Sequence, residues 1–455
     1  MRKVTILGAG LVGSLLSILL RKRGYEVDVY ERRPDLRITQ IGAGRSINMA
    51  MSTRGWKALD LADMRASIEE LVIPMKGRYL HQADGSSAFQ AYGKDGEAIY
   101  SVSRGELNKK LMDKAEELGV RIHFSHTCTH VNIPQNIITL KDAEGNVSEL
   151  SCDLLFGADG AFSALRTSMS HMDRTDFQQF YISSGYKELC IPPDAAGNFQ
   201  LEKNALHIWP RRNYMMIGLP NVDGSFTCTL FFPFEGNPSF DSLKTSEDVL
   251  AFFKEQFPDA LPLMPTLTED YKTNPTSSLI TTRIYPWSYQ DKSCLIGDAA
   301  HAIVPFYGQG MNAGFEDCSV LWELLDQHGE DWETILKTFQ KLRKPNADAV
   351  SELALANFVE MRDKVADARF LERKKIEKDL GKRYPGVFNS VYEMVSFSHT
   401  PYAFAWQSME AQDWLLEAIM NLGDYEQNIE NPDFRAQVDA LMHTYAKRIE
   451  NITIA

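Results

Sequence analysis

The hydrophobic pattern at the start of the chain alternates between strand-like and helix-like runs. Val4–Leu7 is a short apolar run that predicts a buried strand. Ser14 to Arg23 repeats its apolar positions at helical spacing and stops before Gly24. Glu26 to Glu31 then alternates as a second strand. A strand, a helix and a strand in this order predict a βαβ unit with parallel strands.

The pattern changes in the middle of the chain and again near its end. From about Phe180 to Ile284, runs rich in aromatic and β-branched residues predict an antiparallel sheet, with one inserted helix at Ser246–Gln256. After about Asp331 the periodicity is helical and the charges are mixed. The sequence therefore predicts an α/β fold with an inserted antiparallel sheet domain and a C-terminal helical region.

A glycine-rich motif lies between the first strand and the first helix. Residues 8–13 read GxGxxG, and Glu31 follows at the end of the second strand. Gly8 allows the tight turn, Gly10 lets a pyrophosphate approach the helix N-terminus, and Gly13 lets helix and strand pack closely. The motif in this setting predicts a dinucleotide site with Glu31 on the ribose, but it does not separate FAD from NAD.

A second candidate segment runs from Cys294 to Cys318. A short apolar run ends at Gly297-Asp298, glycines flank Gln309, and a helical pattern begins at about Met311. A strand-end carboxylate can accept hydrogen bonds from sugar hydroxyls, and glycines let the backbone approach a flat ligand. An ordinary strand–loop–helix, with Asp298 capping something local, would show the same pattern. The run Leu154–Phe156 leads into a similar strand-end pair, Asp159-Gly160.

Composition and charge narrow the class of protein. The chain has 455 residues and a formal net charge of −13, which suits two or three domains and argues against binding to nucleic acid or to an anionic membrane surface. The six cysteines form no CxxC pair, so the sequence gives no support for a metal site and favours a reducing cytoplasm. The apolar N-terminal run lacks a cleavage site, and no run is long enough to predict a transmembrane helix.

Three separated elements carry a resemblance to a known family. The GxGxxG motif with Glu31, the Asp159-Gly160 segment and the Gly297-Asp298 loop together resemble the FAD-dependent aromatic hydroxylases of the para-hydroxybenzoate hydroxylase type. The resemblance implies that the first element holds the ADP half of FAD and that Asp298 holds the ribityl chain. It also implies that the Asp159 segment contacts both FAD and NAD(P)H. Such enzymes have no separate nicotinamide domain, and the sequence contains no second GxGxxG unit.

Longer strings resemble the kynurenine-hydroxylating members of that family, from Val4 to about Tyr402. They are GRSINMAMSTRG, IYSVSRGELN, LHIWPR, SFTCTLF, GDAAHAIVPFYGQGMNAGFEDC and NFVEMR. Tyr307 departs from the pattern, because many members carry Phe there. The tail departs further: eukaryotic members end in an apolar membrane anchor, whereas residues 413–455 are polar and helical. The resemblance thus implies a soluble, bacterial-type member located in the cytoplasm.

The resemblance also implies roles for individual residues. Those matched to the substrate are Arg78, Tyr92, Asn357, Glu360 and Tyr402. Pro305 and Gln309 are matched to the positioning of flavin and substrate during catalysis. The residues matched to cofactor binding are Gly8, Gly10, Val12, Gly13, Glu31, Arg32, Arg33, Arg45, Ala50, Arg104, Cys128, Asp159, Asp298, Gly310, Met311 and Asn312.

Several of these residues also have ordinary structural explanations. An Arg in a strand, such as Arg78, is usually solvated or salt-bridged. Tyr92 could cap a hairpin at Gly93, and Asn357 on an apolar helix face could bond only to backbone. His301 on a small-residue turn is more typical of a structural histidine than of a catalytic one. The residues alone leave these alternatives open.

The implied reaction is hydroxylation of L-kynurenine to 3-hydroxy-L-kynurenine with FAD, NADPH and O2, through a flavin C4a-hydroperoxide. Alternatives are a related monooxygenase acting on another aromatic carboxylate and a flavin-binding scaffold without turnover. The implied FAD-binding domain comprises 1–70, 99–178 and 285–375, the substrate domain 71–98 and 179–284, and the helical region 376–455. The sequence leaves open whether the protein is a monomer or a homodimer.

Overall fold

A computed structural model describes residues 2–38, 48–93, 96–361 and 368–452. Arg45, one of the matched cofactor residues, lies outside the described residues. The strands are, in chain order, β1 (Lys3–Leu7), β2 (Glu26–Tyr30), β3 (Asn48–Met51), β4 (Val72–Met75), β5 (Gly77–His81), β6 (Ser87–Ala91), β7 (Ile99–Ser103), β8 (Arg121–His123), β9 (Thr127–Asn132), β10 (Ile137–Lys141), β11 (Val147–Ser151), β12 (Leu154–Gly157), β13 (Asp176–Ile191), β14 (Leu206–Arg211), β15 (Tyr214–Pro220), β16 (Phe226–Pro233), β17 (Ser277–Tyr285), β18 (Ser288–Tyr289) and β19 (Ser293–Leu295).

The helices surround these strands and fill the C-terminal part of the chain. They are α1 (Leu11–Lys22), α2 (Thr53–Leu61), α3 (Arg65–Glu69), α4 (Arg104–Glu117), α5 (Ala164–Met169), α6 (Ser246–Gln256), α7 (Leu267–Thr273), α8 (Asp298–His301), α9 (Gly310–His328), α10 (Trp332–Val359), α11 (Ala368–Arg383), α12 (Val391–Ser396), α13 (Tyr402–Met420), α14 (Tyr425–Asn428) and α15 (Pro432–Glu450). Helix α6 has the predicted bounds because Thr245 and Asp248 form a capping box at its start.

A mostly parallel sheet brings the three sequence motifs together. Its strand order is β18-β19-β12-β1-β2-β8, and β1 pairs in parallel with both β2 and β12. Leu7 lies opposite Gly157, which in turn lies opposite Leu295, so β1, β12 and β19 end at the same edge. The segments that follow these strands begin with Gly8, Ala158 and Ile296 and therefore converge there. Ligands of open α/β sheets bind at this carboxyl edge.

The inserted sheet has seven strands in the order β17-β13-β16-β15-β14-β5-β6. Its neighbouring strands are antiparallel, except that β14 pairs in parallel with β5 over three residue pairs. One face packs on α6 and α7 around Trp209 and Phe253, which are fully buried. The other face packs towards α10 through Phe231, Phe306 and Phe358. The predicted antiparallel domain is confirmed, with β13 longer than the sequence pattern indicated.

Two three-stranded sheets were not predicted. Strands β9, β10 and β11 form one, and β3, β7 and β4 form the other. Strand β4 lies within residues 71–98, which the sequence assigned to the substrate domain, but it pairs with β7 rather than with the seven-stranded sheet. Helices α2 and α3 are separated by a short turn, where Asp63 adopts a positive φ of 56°.

The C-terminal region is helical, as predicted. Helices α11, α13 and α15 enclose an apolar cluster that includes Leu380, Leu415 and Val438. Among the described residues, no helix combines the length and the apolar character needed to cross a membrane. The predicted α/β fold with an inserted antiparallel sheet and a helical C-terminal region is confirmed.

Candidate FAD and substrate site

The first motif forms a tight turn with open space on one side. Gly8 has φ +97°, and a Cβ added there would lie 2.6 Å from the carbonyl oxygen of Ala158. A Cβ on Gly13 would lie 2.0 Å from the carbonyl oxygen of Gly8. At Gly10, by contrast, a Cβ would meet nothing within 4 Å. Gly8 and Gly13 are therefore fixed by packing, whereas Gly10 faces a space that a ligand can enter.

The N-terminus of helix α1 is ready to bind an anion. Gly10 is its N-cap, no side chain caps it, and its first turn contains no acidic residue. Val12 lies in this first turn and lines a cavity together with Gly10. The unbonded N–H groups and the helix dipole favour negative charge at this point. A pyrophosphate fits both the charge and the space.

Glu31 is held at the end of β2 by its neighbours. Its Oε2 accepts a hydrogen bond from the N–H of Ala9 at 2.8 Å, and its Oε1 accepts from the N–H and Nε of Arg33 at 3.0 and 2.7 Å. Burial opposes the charged form, but these bonds outweigh it and lower the pKa of Glu31. The carboxylate stays ionised and retains lone pairs for ribose hydroxyls. Arg32 is exposed beside it.

The loop after β19 supplies a second carboxylate. Gly297 has φ +60°, and Asp298 follows it as the first residue of α8. Asp298 is exposed and lines the cavity, and its carboxylate makes no hydrogen bond or ion pair with the rest of the described chain. The local cap that the sequence left open as an alternative is therefore not seen. An unbonded carboxylate on a cavity wall can accept hydrogen bonds from ligand hydroxyls.

The glycine loop and the start of α9 form the next part of the wall. Pro305, Gly308, Gly310 and Met311 line the cavity. Gly308 has φ +66°, a conformation that disfavours other residues, and no side chain caps the N-terminus of α9. The loop therefore presents backbone and a second helix N-terminus without a side-chain cap to the cavity.

Asn312 and Gln309 lie behind this wall rather than in it. Asn312 accepts a hydrogen bond from the N–H of Ser52 at 2.9 Å and donates to the carbonyl oxygens of Ala50 and Gly308, each at 2.9 Å. It thereby holds the end of β3, with Ala50, against the glycine loop. Gln309 accepts a hydrogen bond from the hydroxyl of Tyr402 at 2.8 Å, and both residues are buried. The structure therefore places Tyr402 away from the cavity.

A buried ionic cluster beneath the loop was missed by the sequence reasoning. Oδ2 of Asp317 accepts from the N–H of Gly297 at 3.0 Å and lies 2.7 Å from Nε2 of His301, while Oδ1 accepts from Nε of Arg343 at 2.7 Å. Burial opposes the charge of Asp317, but His301 and Arg343 outweigh it and lower its pKa. His301 is therefore structural, as its small-residue turn suggested. The available signal was the acidic pair at 316–317, which stands between the apolar residues Phe315 and Cys318.

The cavity lies between the parallel sheet and the inserted sheet and has a volume of about 350 Å³. Its inner wall is formed by the elements described above together with Ala50 and Arg104. Its outer wall is largely apolar side chains of the seven-stranded sheet, namely Leu206, Met215, Ile217, Leu219 and Phe231. The cavity thus joins a polar cradle for a dinucleotide to an apolar chamber.

Arg78 reaches this chamber from β5. It lines the cavity, and its guanidinium lies 5.6 Å from the ring centre of Tyr92 and 4.7 Å from that of Tyr392. Its buried Nε has no hydrogen-bond partner, and the guanidinium forms no ion pair with any described residue. Burial opposes its charge, but Tyr392, Tyr92 and Glu360 outweigh it and raise the pKa of Arg78. A guanidinium that stays charged and keeps an unpaired donor favours an anionic ligand.

Tyr392 is the residue that sequence reasoning missed at this position. Its ring is stacked on Tyr92 at 5.3 Å and on Tyr307 at 5.7 Å, and it lines the cavity. The hydroxyl of Tyr92 is buried without a hydrogen-bond partner. Neither sequence periodicity nor the resemblance distinguished Tyr392 from Tyr402. The capping box between Ser390 and Glu393 starts helix α12 just before Tyr392 and so fixes where it lies.

Asn357 and Glu360 lie on adjacent parts of one helix end, as their spacing predicts, but Glu360 lines a different cavity. Asn357 is buried, donates to the carbonyl oxygen of Phe306 at 2.6 Å and lines the substrate chamber. Glu360 lines a second cavity of about 440 Å³, where its carboxylate lies 3.6 Å from Nζ of Lys374. The two cavities share Tyr307, Asn357 and Tyr392 as a common wall.

Two further matched residues lie outside the cavity lining. Oδ2 of Asp159 accepts a hydrogen bond from the N–H of Ala164 at 2.7 Å, while its buried Oδ1 has no partner, and burial raises the pKa of Asp159. Its neighbours Ala158, Gly160 and Ala161 line the cavity. Cys128 lies on β9, where burial raises the pKa of its thiol to about 12, so it is inert as a nucleophile.

Arg104 is the first residue of helix α4 and lines the cavity. The carboxylate of Glu188, which sequence reasoning missed, lies near it. Glu188 on β13 pairs with Thr229, which lines the cavity. Burial raises the pKa of Glu188 from its ordinary value near 4.5 to about 7, although Arg104 acts in the opposite direction. A carboxyl with a raised pKa in the folded state destabilises the protein when it ionises.

We therefore expect Glu188→Gln to stabilise the protein in a pH-dependent way. Between about pH 4.5 and 7 the wild type loses stability as pH rises, because ionisation is less favourable in the folded state. The variant should match the wild type near pH 4.5 and gain up to about 3 kcal/mol in unfolding free energy near pH 8. Urea unfolding at both pH values measures this. Glu149→Gln, an exposed change on β11, is the control, and an equal gain for Glu188→Gln at both pH values would contradict the assignment.

The residues present fit FAD. Two uncapped helix N-termini and the open space at Gly10 suit a diphosphate and an anionic ring, and the unbonded carboxylate of Asp298 suits a ribityl chain. Glu31 retains acceptor capacity for the adenosine ribose. The chamber beyond the cradle leaves room for a second, smaller molecule.

Comparison with known proteins agrees with this reading. A family model described as an FAD binding domain matches residues 1–354. The kynurenine 3-monooxygenase of Flavobacterium psychrophilum is 46% identical over 444 residues, covering 97% of this chain and 99% of that protein. The kynurenine 3-monooxygenases of Dictyostelium discoideum and Myxococcus xanthus are 45% and 48% identical and cover 98% and 91% of this chain, and 99% and 90% of their own lengths.

Solved structures are similar in fold. A 2-methyl-3-hydroxypyridine-5-carboxylic acid oxygenase has a TM-score of 0.66 at 22% identity, covering 82% of this chain and 95% of its own. Pseudomonas aeruginosa PqsL in complex with 2-aminobenzoylacetate has a TM-score of 0.64 at 18% identity, covering 80% and 97%. Fold and matched family define an FAD-dependent monooxygenase that uses NADPH. Within that class, the chain belongs to the kynurenine 3-monooxygenase family.

Proposed function

We propose that this enzyme hydroxylates L-kynurenine to 3-hydroxy-L-kynurenine with NADPH and O2, and that Arg78 binds the α-carboxylate of kynurenine. The observation that carries the proposal is the guanidinium of Arg78, which lies beside the stacked rings of Tyr92 and Tyr392 at the wall of the FAD cavity and forms no ion pair with a described residue. The kynurenine-hydroxylating relatives make an amino-acid substrate the natural candidate.

The chain's residues have three tasks in this reaction. Arg78 fixes the carboxylate end, and the nearby rings of Tyr92 and Tyr392 favour its positive charge. The apolar wall at Met215 and Phe231 excludes water around the aromatic ring. When bound, FAD supplies hydride acceptance and oxygen activation.

We propose that FAD is held by the cradle on the other side of the cavity. The helix N-terminus at Gly10 and Val12 suits the diphosphate, Glu31 the ribose, Asp298 the ribityl chain, and the backbone from Gly310 the ring. Asn312 acts through Ala50 and the glycine loop rather than by contact. The unpaired cysteines of the described chain support our proposal that the enzyme works in the reducing cytoplasm.

Two tyrosines provide an internal comparison, because Tyr392 lines the chamber and Tyr402 does not. Tyr392→Leu removes a ring that faces the guanidinium, and we expect a dissociation constant for L-kynurenine that is roughly tenfold higher. Tyr402→Phe leaves the buried Oε1 of Gln309 without its donor, so we expect unchanged affinity and about 1–3 kcal/mol lower stability. Flavin fluorescence titration and urea unfolding measure both quantities. Weakened binding in Tyr402→Phe alone would return the substrate role to Tyr402.

Product analysis tests the proposal directly. We expect the FAD-loaded enzyme in air to consume NADPH when L-kynurenine is added and to release 3-hydroxy-L-kynurenine, identified by mass and absorbance. Kynuramine keeps the aromatic ring and amine but lacks the carboxylate, so it should bind far more weakly if Arg78 is the anchor. Turnover of kynuramine as efficient as that of L-kynurenine would contradict the carboxylate anchor.

The same assay separates the two alternatives. A related monooxygenase with another substrate would consume NADPH with anthranilate, a shorter aromatic carboxylate, in preference to L-kynurenine. A flavin-binding scaffold without turnover would bind FAD and consume NADPH with neither compound. The apolar chamber beside the cradle favours the enzyme over the scaffold, because a scaffold has no need for an enclosed space next to the flavin.

A further inference from the structure

A chain of buried polar side chains joins two strands on the face of the inserted sheet opposite the chamber. Nδ1 of His81, on β5, lies 2.8 Å from Oδ2 of Asp259, and its Nε2 lies 2.9 Å from Nδ1 of His207, on β14. Nε2 of His207 lies 2.8 Å from the carbonyl oxygen of Glu202. Both histidines are buried. None of these groups belongs to the cavity described above.

The three contacts along this row of side chains need more hydrogens than two neutral histidine rings carry. The carbonyl oxygen of Glu202 only accepts, so Nε2 of His207 must carry a hydrogen. An ionised Asp259 only accepts, so Nδ1 of His81 must carry one too. The contact between the two rings needs one more. Two neutral imidazoles supply only two hydrogens, so this row of side chains holds one extra proton.

The surroundings place this extra proton on His81. Burial lowers the pKa of His207 to about 4, which keeps that ring neutral. Burial opposes the charge of Asp259, but hydrogen bonds from His81 and from Nε1 of Trp209, at 3.0 Å, outweigh it and lower its pKa. His81 is stacked on Trp209 at 4.2 Å, and that ring face also favours a cation.

One other charged side chain lies close to this chain. Nη1 of Arg211 donates to the carbonyl oxygen of His81 at 2.9 Å, and its Nη2 is buried without a partner. Tyr79 stacks on His207, and Phe226 meets the same ring edge-on. Asp259 therefore favours the extra proton, and Arg211 disfavours it.

This row of side chains crosses a short seam in the seven-stranded sheet, namely the pairing of β5 with β14. Strands β5 and β14 are the parallel pair of that sheet and share three residue pairs, one of which is Arg78 with Leu206. The contact between His81 and His207 is a direct side-chain link across the same seam. We propose that the proton shared by His81, His207 and Asp259 locks β5 to β14 and thereby positions Arg78 for the substrate carboxylate. Only the identity of that carboxylate depends on the proposed function; the lock itself does not.

The extra proton makes the contact between the two rings a hydrogen bond. Without it, two lone pairs face each other at one of the three contacts, so the seam loosens.

One substitution removes the charge that holds the extra proton but keeps an acceptor at the same place. In Asp259→Asn, the amide oxygen can still accept from Nδ1 of His81 and Nε1 of Trp209, but the negative charge that favours the extra proton is gone. We expect this variant to lose the extra proton and with it the hydrogen bond between the two rings, and to bind L-kynurenine roughly three- to tenfold more weakly near neutral pH. His81→Leu removes the link, and its affinity should be roughly three- to tenfold weaker near neutral pH. His171→Gln, at an exposed histidine, should behave as wild type.

The test combines a proton count with affinity and stability measurements on the FAD-loaded enzyme near neutral pH. Nitrogen-15 NMR of labelled histidines should show three ring N–H groups on His81 and His207 in the wild type and two in Asp259→Asn. The dissociation constant for L-kynurenine should be higher, and the Tm lower, in Asp259→Asn and His81→Leu than in the wild type and His171→Gln.

Each contrary result would overturn a different part of the proposal. Two ring N–H groups in the wild type would overturn the proposal. Three groups in the wild type, with L-kynurenine affinity unchanged in Asp259→Asn and His81→Leu, would overturn the positioning of Arg78. If the wild type bound no L-kynurenine, the proposed function would fail. In that case the proton count and the Tm values of the variants would still decide whether the lock exists.

Discussion

Replacing Arg78 with Met should raise the dissociation constant for L-kynurenine by about ten- to a hundredfold while FAD content stays unchanged. A charge-assisted bond from a partly buried guanidinium to a carboxylate is worth about 1.5–3 kcal/mol, which corresponds to one to two powers of ten. Met keeps length and apolar bulk beside the rings of Tyr92 and Tyr392 but removes the charge. The measurements are flavin fluorescence titration with L-kynurenine, FAD occupancy and Tm on one preparation.

The neighbouring lysine gives a matched control for this experiment. Lys76→Met removes one positive charge two residues away, from an exposed side chain at the start of the same hairpin. It should leave L-kynurenine affinity unchanged. If Arg78 were instead an ordinary structural arginine, Arg78→Met would lower the Tm and leave affinity normal. A folded, FAD-replete Arg78→Met with wild-type affinity would remove Arg78 from the substrate site.

The first motif and the order of elements could be predicted because they depend on local patterns. The spacing of Gly8, Gly10 and Gly13 reflects contacts within one βαβ unit, and the structure has the strand, turn and helix where the pattern indicated. Helix α6 was likewise predicted to the residue, since its capping box is a local signal. Predictions of this kind do not require knowledge of distant contacts.

The sheet formed by β9, β10 and β11 was missed for a physical reason. Most side chains of β9 and β11 are exposed or half-buried, so the period-two apolar signal that reveals a half-buried strand is weak there. Long-range pairing rather than apolar patterning stabilises these strands. A sequence-only reading has no access to that pairing.

The hardest feature of the site to predict was which residues of a helix or strand face the chamber. Tyr392 and Tyr402 lie ten residues apart in neighbouring helices, and only the packing of α12 and α13 places one in the chamber and the other behind it. The lock between His81 and His207 is similarly invisible in the sequence. It depends on the parallel pairing of two strands that are separated by 126 residues.

Replacing Asp298 with Ala should weaken FAD binding more than any other single change to a side chain of the cradle. Its carboxylate lines the cavity and has no partner among the described residues, so its hydrogen-bonding capacity is available to a ligand. Charge-assisted hydrogen bonds to ribityl hydroxyls are worth about 1.5–3 kcal/mol, and we expect a ten- to hundredfold higher dissociation constant for FAD. Titration of the apoprotein with FAD, followed by quenching of flavin fluorescence, measures this constant.

Unfolding measurements and a second variant distinguish an effect of Asp298 on FAD binding from an effect on folding. The unfolding free energy of the Asp298→Ala apoprotein should equal that of the wild-type apoprotein, because the carboxylate supports no other described group. Asp317→Ala, one helix away, should do the opposite: it strips Gly297, His301 and Arg343 of a buried partner and should cost about 3–5 kcal/mol of stability. An Asp298→Ala protein that unfolds early but, while folded, binds FAD as tightly as the wild type would show that Asp298 supports the loop rather than the cofactor.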